Sequence, residues 1–221
     1  MALRGCIMFW FPSGSLIIIG KYPFGMVFIM IQLDILAVGD LIRDDGGNIL
    51  KADSTSVLIR SGSRTIVVDP STKYMRPAVR TSFKQIGVFP KDVDTVILTH
   101  AHRDHIENLD LYQKARVYIH SGADVEIPGA IIVEGEEKKI CDGVRMVHTP
   151  GHCPEHCSVF VDADRRYVVA GDAIPLEDNF RKMVPPRLNT DPALALQSIK
   201  NISQYAQVVI PGHGFPFMTD R

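Results

Sequence analysis

Several features that would sort a protein into a class at once are scarce in this chain. Four cysteines in 221 residues, Cys6, Cys141, Cys153 and Cys157, are too few and too irregularly spaced for a disulfide scaffold. Free thiols in a reducing cytoplasm are the expectation. Net charge is also nearly absent: 24 Lys and Arg against 25 Asp and Glu leave −1. That excludes the overall basic field behind non-specific nucleic-acid binding, so a polyanion would have to use a local patch. No apolar run reaches the roughly 20 residues that span a bilayer, because Pro12, Gly14, Pro23 and Gly25 interrupt "CIMFWF", "SLIIIG" and "MVFIMI". A membrane partner is therefore not expected. Arg4 and the apolar run after it suit a secretory signal, but no Ala-x-Ala cleavage site follows. Residues 1–25 read as an apolar extension of uncertain status before a single domain over 26–221, with Met26 or Met30 as alternative starts. Internal repeats and low-complexity segments are missing as well.

What is present is a β-rich order with interspersed helices. "IQLDILAVG" alternates from Ile31 and predicts a strand, after which Gly39, Gly46 and Gly47 mark loops. "STSVLIRSGSRTIVVDP" holds two β-branched runs around Ser-Gly-Ser and reads as a hairpin. Residues 76–88 carry Val79, Phe83 and Ile86 at helical spacing, with Pro77 tolerable in the first turn. "VDTVILTH" is a buried strand and "DHIENLDLYQ" a helix after it; "RVYIH", "AIIVEG", "VRMVHTP", "CSVFVDA" and "RYVVAGD" are further strands. "DPALALQSIKNISQYA" is a helix opened by the N-cap Asp191, and "QVVIPGHG" closes with a last strand and loop. Such an order implies stacked sheets covered by helices.

The chemistry concentrates in "THAHRDH", residues 99–105, which holds His100, His102, Asp104 and His105. Three other strand ends offer comparable groups: "TPGH" ends at His152, "VVAGD" at Asp172, and "IPGHG" contains His213. Imidazole suits zinc and similar ions, while a carboxylate can bridge two cations through its two oxygens. Five histidines and two aspartates suffice for two ions sharing one bridge. Singly, His152, Asp172 and His213 would read as ordinary loop residues; their company with "HAHRDH" makes them candidates. His120, His148 and His156 are expected at the surface or behind the site. Cys153 and Cys157 with His156 lack a fourth partner for a separate zinc site and are expected in the core or at an edge.

Taken in order, "THAHRDH", "TPGH", "AGD" and "PGHG" resemble the metallo-β-lactamase superfamily over residues 31–217. The resemblance implies an α+β fold, a four-layer αββα sandwich of two mixed β-sheets. It implies that His100, His102 and His152 hold a first metal, that Asp104, His105 and His213 hold a second, and that Asp172 bridges them. Asp69, at the end of "IVVDP", matches an aspartate that orients a ligand imidazole, and Thr99 stands beside it behind the metals. "THAHRDHIENLDLY", "TPGHCPEHCSVFV" and "PGHGFPF" are most similar to the small single-domain group of metallo-β-lactamase-domain-containing protein 1, although Cys153 replaces a common threonine. The implied cofactors are two divalent ions, zinc first, with iron or manganese acceptable to the same imidazoles.

Water acidified by two dications is a nucleophile at neutral pH, so the expected activity is hydrolysis of an ester-type or phosphodiester bond. Asp104 is the expected catalytic residue, holding that water and passing on its proton. The subgroup also implies an RNA-cleaving nuclease as an alternative, and a mononuclear iron persulfide dioxygenase keeps much of the same motif. A flavodiiron redox role is disfavoured, since His102 stands where those members carry glutamate. The substrate is expected to be a small molecule or RNA. "RKMVPPR", residues 181–187, is a loop whose cations either meet a phosphate or carboxylate or are merely solvated.

Overall fold

The computed structural model describes residues 30–220 in full and, before them, the backbone of two strands. By contacts the chain divides into two units, 1–30 and 31–221. In the first, β1 (Cys6–Trp10) and β2 (Leu16–Gly20) form an antiparallel hairpin. Apart from these two strands, the apolar extension expected over residues 1–25 lies outside the described residues.

The second unit is built around two six-stranded sheets. Its elements run β3 (Ile31–Ala37), β4 (Asp40–Arg43), β5 (Ile49–Asp53), β6 (Ser56–Ser61), β7 (Arg64–Val68), α1 (Arg76–Ile86), β8 (Thr95–Ile97), α2 (Arg103–Ile106), β9 (Arg116–His120) and β10 (Ile131–Val133). There follow β11 (Glu137–Cys141), β12 (Val144–His148), β13 (Cys157–Asp162), β14 (Arg166–Gly171), α3 (Glu177–Lys182), α4 (Pro192–Tyr205), β15 (Val208–Pro211) and β16 (Phe217–Met218). One sheet has the order β10-β9-β8-β7-β6-β3 and the other β11-β12-β13-β14-β15-β16; both mix parallel and antiparallel pairs. β4 and β5 pair only with each other.

Period-two alternation explains the layering. Val57 and Ile59, Ile66 and Val68 of the first sheet meet Val159, Val161, Val169 and Ile210 of the second in the central core. The intervening Leu58 and Val67 point the other way, onto Val79 and Phe83 of α1. Likewise Val168, Ala170 and Val209 turn outward onto Ile199 and Ile202 of α4. Each central strand is thus buried on both faces, which is why it reads as a continuous β-branched run. The result is the αββα sandwich, helix on sheet on sheet on helix.

The helices start and stop where local chemistry dictates. Pro77 sits in the first turn of α1, and Gly87 caps it with φ 76°. The Asp191 side chain accepts from the N–H groups of Ala193 and Leu194 at the start of α4. Among the described residues no helix is long and apolar enough to cross a membrane.

Five details depart from the sequence reading. Gly39, Gly46 and Gly47 lie in loops as expected, but the β4–β5 strands around that turn, β11 and β16 were not anticipated. The helix expected over "DHIENLDLYQ" divides into α2 and a 3-10 turn, Leu109–Leu111. "RKMVPPR" is not wholly loop, because Arg181 and Lys182 end α3, paired with Glu177 and Asp178.

Candidate metal centre

The loops at the C-terminal ends of β8, β12, β14 and β15 converge, and they carry the seven expected ligands. His100, His102, His152 and Asp172 offer donor atoms within 4.8 Å of one another, and so do Asp104, His105 and His213. Asp172 faces both groups. Its Oδ2 lies 3.5 Å from His152 Nε2, whereas its Oδ1 lies 3.2 Å from His213 Nε2 and 3.6 Å from His105 Nε2. Asp104 Oδ2 approaches His105 Nε2 at 3.5 Å and His213 Nε2 at 3.7 Å.

The rings are aimed by the hydrogen bonds on their far nitrogens. Asp69 lies just past β7 in the left-handed region, φ 49°, a strained conformation for a residue with a side chain. That turn puts its carboxylate under the site, where Oδ1 accepts from the Thr99 N–H at 2.8 Å and Oδ2 from the Thr99 hydroxyl at 2.7 Å. The same Oδ2 lies 2.8 Å from His105 Nδ1. Because the Thr99 hydroxyl is spent on Asp69, it accepts from His100 Nδ1 at 3.0 Å. His152 Nδ1 donates to the Leu188 carbonyl and His213 Nδ1 to the Asp53 carbonyl, each at 2.8 Å. In four of the five rings Nδ1 therefore carries a proton, and Nε2 faces the cluster.

That arrangement fits a cation and little else. Among the described residues, His100 Nε2, His105 Nε2 and Asp172 Oδ1 are buried with no hydrogen-bond partner, a costly state for polar atoms unless something else coordinates them. His102 Nδ1 and His152 Nε2 face each other at 3.0 Å, so two lone pairs collide unless a proton or a metal lies between the rings. Gly212 is required by the crowding: a Cβ there would stand 2.1 Å from Asp172 Oδ1.

Electrostatics separate the two groups. Burial, helped by His105, holds His100 well below the ordinary imidazole range, and burial with His152 lowers His102. Burial also opposes charge on His105, but Asp69 and Asp172 outweigh it and hold that ring well above its usual value. His213 is raised by Asp172 in the same way. Although burial alone would raise Asp172, His213 and His105 hold its carboxyl well below the carboxylate range.

The remaining histidines stay outside the donor set. His156 is buried behind His100, with Nε2 accepting from the Ala173 N–H at 3.2 Å and Nδ1 against Thr149. Burial pushes the neighbouring Cys153 and Cys157 thiols up, and neither joins a metal-type group among the described residues. His120 and His148 stack on each other at 4.1 Å away from the cluster. The cleft is walled by Leu41, Arg43, Ile49 and Ala52 of the β4–β5 hairpin, which the sequence reading missed, and by Pro186 and Arg187, the end of the "RKMVPPR" run read as meeting an anion or solvent, with Leu188.

Comparison with known proteins agrees with this geometry. The sequence profile of the metallo-beta-lactamase superfamily matches residues 51–213. A probable metallo-hydrolase of Methanocaldococcus jannaschii is 38% identical over 193 residues, covering 87% of this chain and 92% of that protein. Metallo-beta-lactamase domain-containing protein 1 of Xenopus laevis is 32% identical, covering 79% of this chain and 76% of its own. Among solved structures, a Thermotoga maritima protein of metallo-beta-lactamase type superposes with a TM-score of 0.71 at 22% identity, over 86% of this chain and 100% of that one. A quorum-quenching N-acyl homoserine lactone hydrolase does so at 0.69 and 20%, over 85% and 93%. This chain therefore belongs to the metallo-beta-lactamase superfamily and is a metallo-hydrolase.

Proposed function

We propose that the enzyme binds two divalent cations and hydrolyses an ester-type or phosphodiester bond. One observation carries the reading: Asp172 directs one carboxylate oxygen at each of the two donor groups, the arrangement that lets a single residue serve two ions. His100, His102 and His152 would hold one cation and Asp104, His105 and His213 the other, with zinc matching the imidazole-rich donors and iron or manganese tolerated. Bound there, the cations supply Lewis acidity and lower the pKa of water toward about 7.

The residues of the chain do the rest. Asp69 and Thr99 fix the tautomers and tilts of His105 and His100. Asp104 lines the cleft half-buried, and its carboxylate makes no hydrogen bond among the described residues, so it can hold the attacking water and take its proton. Water adds to the acyl carbon or phosphorus, the bond to the leaving oxygen breaks, and the proton taken by Asp104 passes to that oxygen, giving an acid and an alcohol. Cys141, Cys153 and Cys157 are free, which supports a reducing, cytoplasmic setting.

Elemental analysis of purified protein tests the reading. About two equivalents of zinc are expected, falling in Asp172→Asn, with hydrolysis of p-nitrophenyl esters or bis(p-nitrophenyl) phosphate lost in His102→Ala and Asp172→Asn after metal reconstitution. About one equivalent of iron, with oxygen consumed on a glutathione persulfide, would overturn it in favour of a persulfide dioxygenase.

A further inference from the structure

Two guanidinium groups overlook the cluster. Arg43 ends β4 and Arg187 lies in the loop after α3, and both line the cleft beside His102, Asp104, His152, Asp172 and His213. They converge on one turn: Arg43 Nη1 donates to the Gly47 carbonyl at 3.0 Å, and Arg187 Nη2 donates to the Gly46 carbonyl at 3.3 Å. Gly47 makes the convergence possible. It has φ 84°, and a Cβ there would fall 1.8 Å from Arg187 Nη1.

Drawing two like charges onto one dipeptide is unfavourable unless an anion compensates. Arg60, Arg64, Arg76, Arg103, Arg145 and Arg181 each pair with a carboxylate. Among the described residues Arg43 and Arg187 have no such pair, as is also true of Arg80, Arg116, Arg165 and Arg166, but of these six only Arg43 and Arg187 line the cleft, where they reach only carbonyls. The carboxylates on the cleft floor, Asp104 and Asp172, are set against histidine nitrogens at 3.2 to 3.7 Å. Each guanidinium therefore keeps most of its five N–H donors for a group from outside, and the planar fork matches a carboxylate or phosphate.

Resting on the hydrolase reading above, we propose that Arg43 and Arg187 bind an oxyanion of the substrate, a phosphoryl or carboxylate group, while its electrophilic centre lies over the histidine and aspartate cluster. The enzyme is then selective for anionic esters or phosphodiesters over neutral esters. The enclosed part of the cleft is about 60 Å³, enough for the reacting group and a few waters. The rest of the substrate lies outside, along the β4–β5 hairpin.

The test uses the full chain loaded with zinc, and Gln and Lys substitutions at Arg43 and Arg187. Turnover is compared on p-nitrophenyl hemisuccinate, its neutral methyl ester and bis(p-nitrophenyl) phosphate, and inorganic phosphate binding is measured by calorimetry. Wild type is expected to prefer an anionic substrate, and each of Arg43→Gln and Arg187→Gln to lower the anionic-to-neutral ratio of kcat/KM by about tenfold, the loss expected of a charge-assisted contact. Arg→Lys should recover part of it. Preference for the hemisuccinate identifies a carboxylate as the anion; preference for the diester identifies a phosphoryl group. If the arginines merely fasten the hairpin, the Gln variants slow charged and neutral substrates alike, the ratio stays within twofold, and the proposal is overturned. Should the metal-loaded wild type hydrolyse none of the three, the ester and phosphodiester reading fails and phosphate binding still decides. Weaker binding in the Gln variants upholds the arginine site, and unchanged binding rejects it.

Discussion

Asp69 touches none of the donor nitrogens that face the cluster, yet its carboxylate sets two ligand rings, His105 directly and His100 through Thr99. Asparagine in its place preserves size but turns an N–H₂ group toward donors that need an acceptor. Losing such an orienting partner typically costs about 10- to 100-fold in metal affinity or activity. Asp69→Asn is therefore expected to weaken zinc binding by that factor in a competition titration with a chromophoric chelator, with the far-ultraviolet circular dichroism spectrum retained. Affinity within twofold of wild type would show that packing alone holds the rings. The strained φ of 49° at Asp69 is consistent with a residue kept for its reach, since relaxing the backbone would swing the carboxylate away from Thr99.

Elements place these side chains, and α4 shows how local chemistry reaches the site. Its N-cap Asp191 accepts from Ala193 and Leu194, while the backbone N–H groups of Thr190 and Asp191 donate to the Gly151 carbonyl, next to His152. Asp191→Ala is expected to lower stability in urea by about 1 kcal/mol; a shift below about 0.3 kcal/mol would mean that water caps the helix as well. Asp191, like the sandwich strands and the ligand loops, was legible in the sequence. Burial on both faces forces β-branched runs such as "SVLIRS" and "RYVVAG", and histidines at strand ends are conspicuous by type. The β4–β5 hairpin was hidden because "DLIR" and "ILKAD" are short and hold no buried apolar residue, Asp53 alone being fully buried, and its Gly46-Gly47 turn resembles any loop. Strand β11 escaped for the same reason, its "EKK" being exposed at a sheet edge. The helix expected after His105 breaks at Asn108, whose buried side chain donates to the Pro70 and Thr72 carbonyls, a tertiary contact that overrides helical spacing. The carbonyls of Asp53 and Leu188 that aim His213 and His152 carry no side-chain signature at all.

For the whole molecule, the origin of the candidate ligands would couple metal to fold. His100, His102, Asp104 and His105 follow β8 of the first sheet, whereas His152, Asp172 and His213 follow β12, β14 and β15 of the second. Cations held there tie the two halves of the sandwich together, and an unfolded chain does not offer that constellation. Binding to the native state alone stabilises by about 4.1 kcal/mol when free metal exceeds the dissociation constant a thousandfold. For a chain of this size each kcal/mol moves Tm by roughly 2 to 4 °C, so stripping the metal with a chelator is expected to lower Tm by about 8 to 16 °C for each cation lost. Re-adding zinc should restore it, and Asp172→Asn, without the shared carboxylate, should recover only part of the increment. An unchanged Tm in chelator, with removal verified by elemental analysis, would mean that packing between the sheets holds the donors in place unaided. The partnerless nitrogens of His100 and His105 argue otherwise, because their burial penalty burdens the native state until a cation meets them.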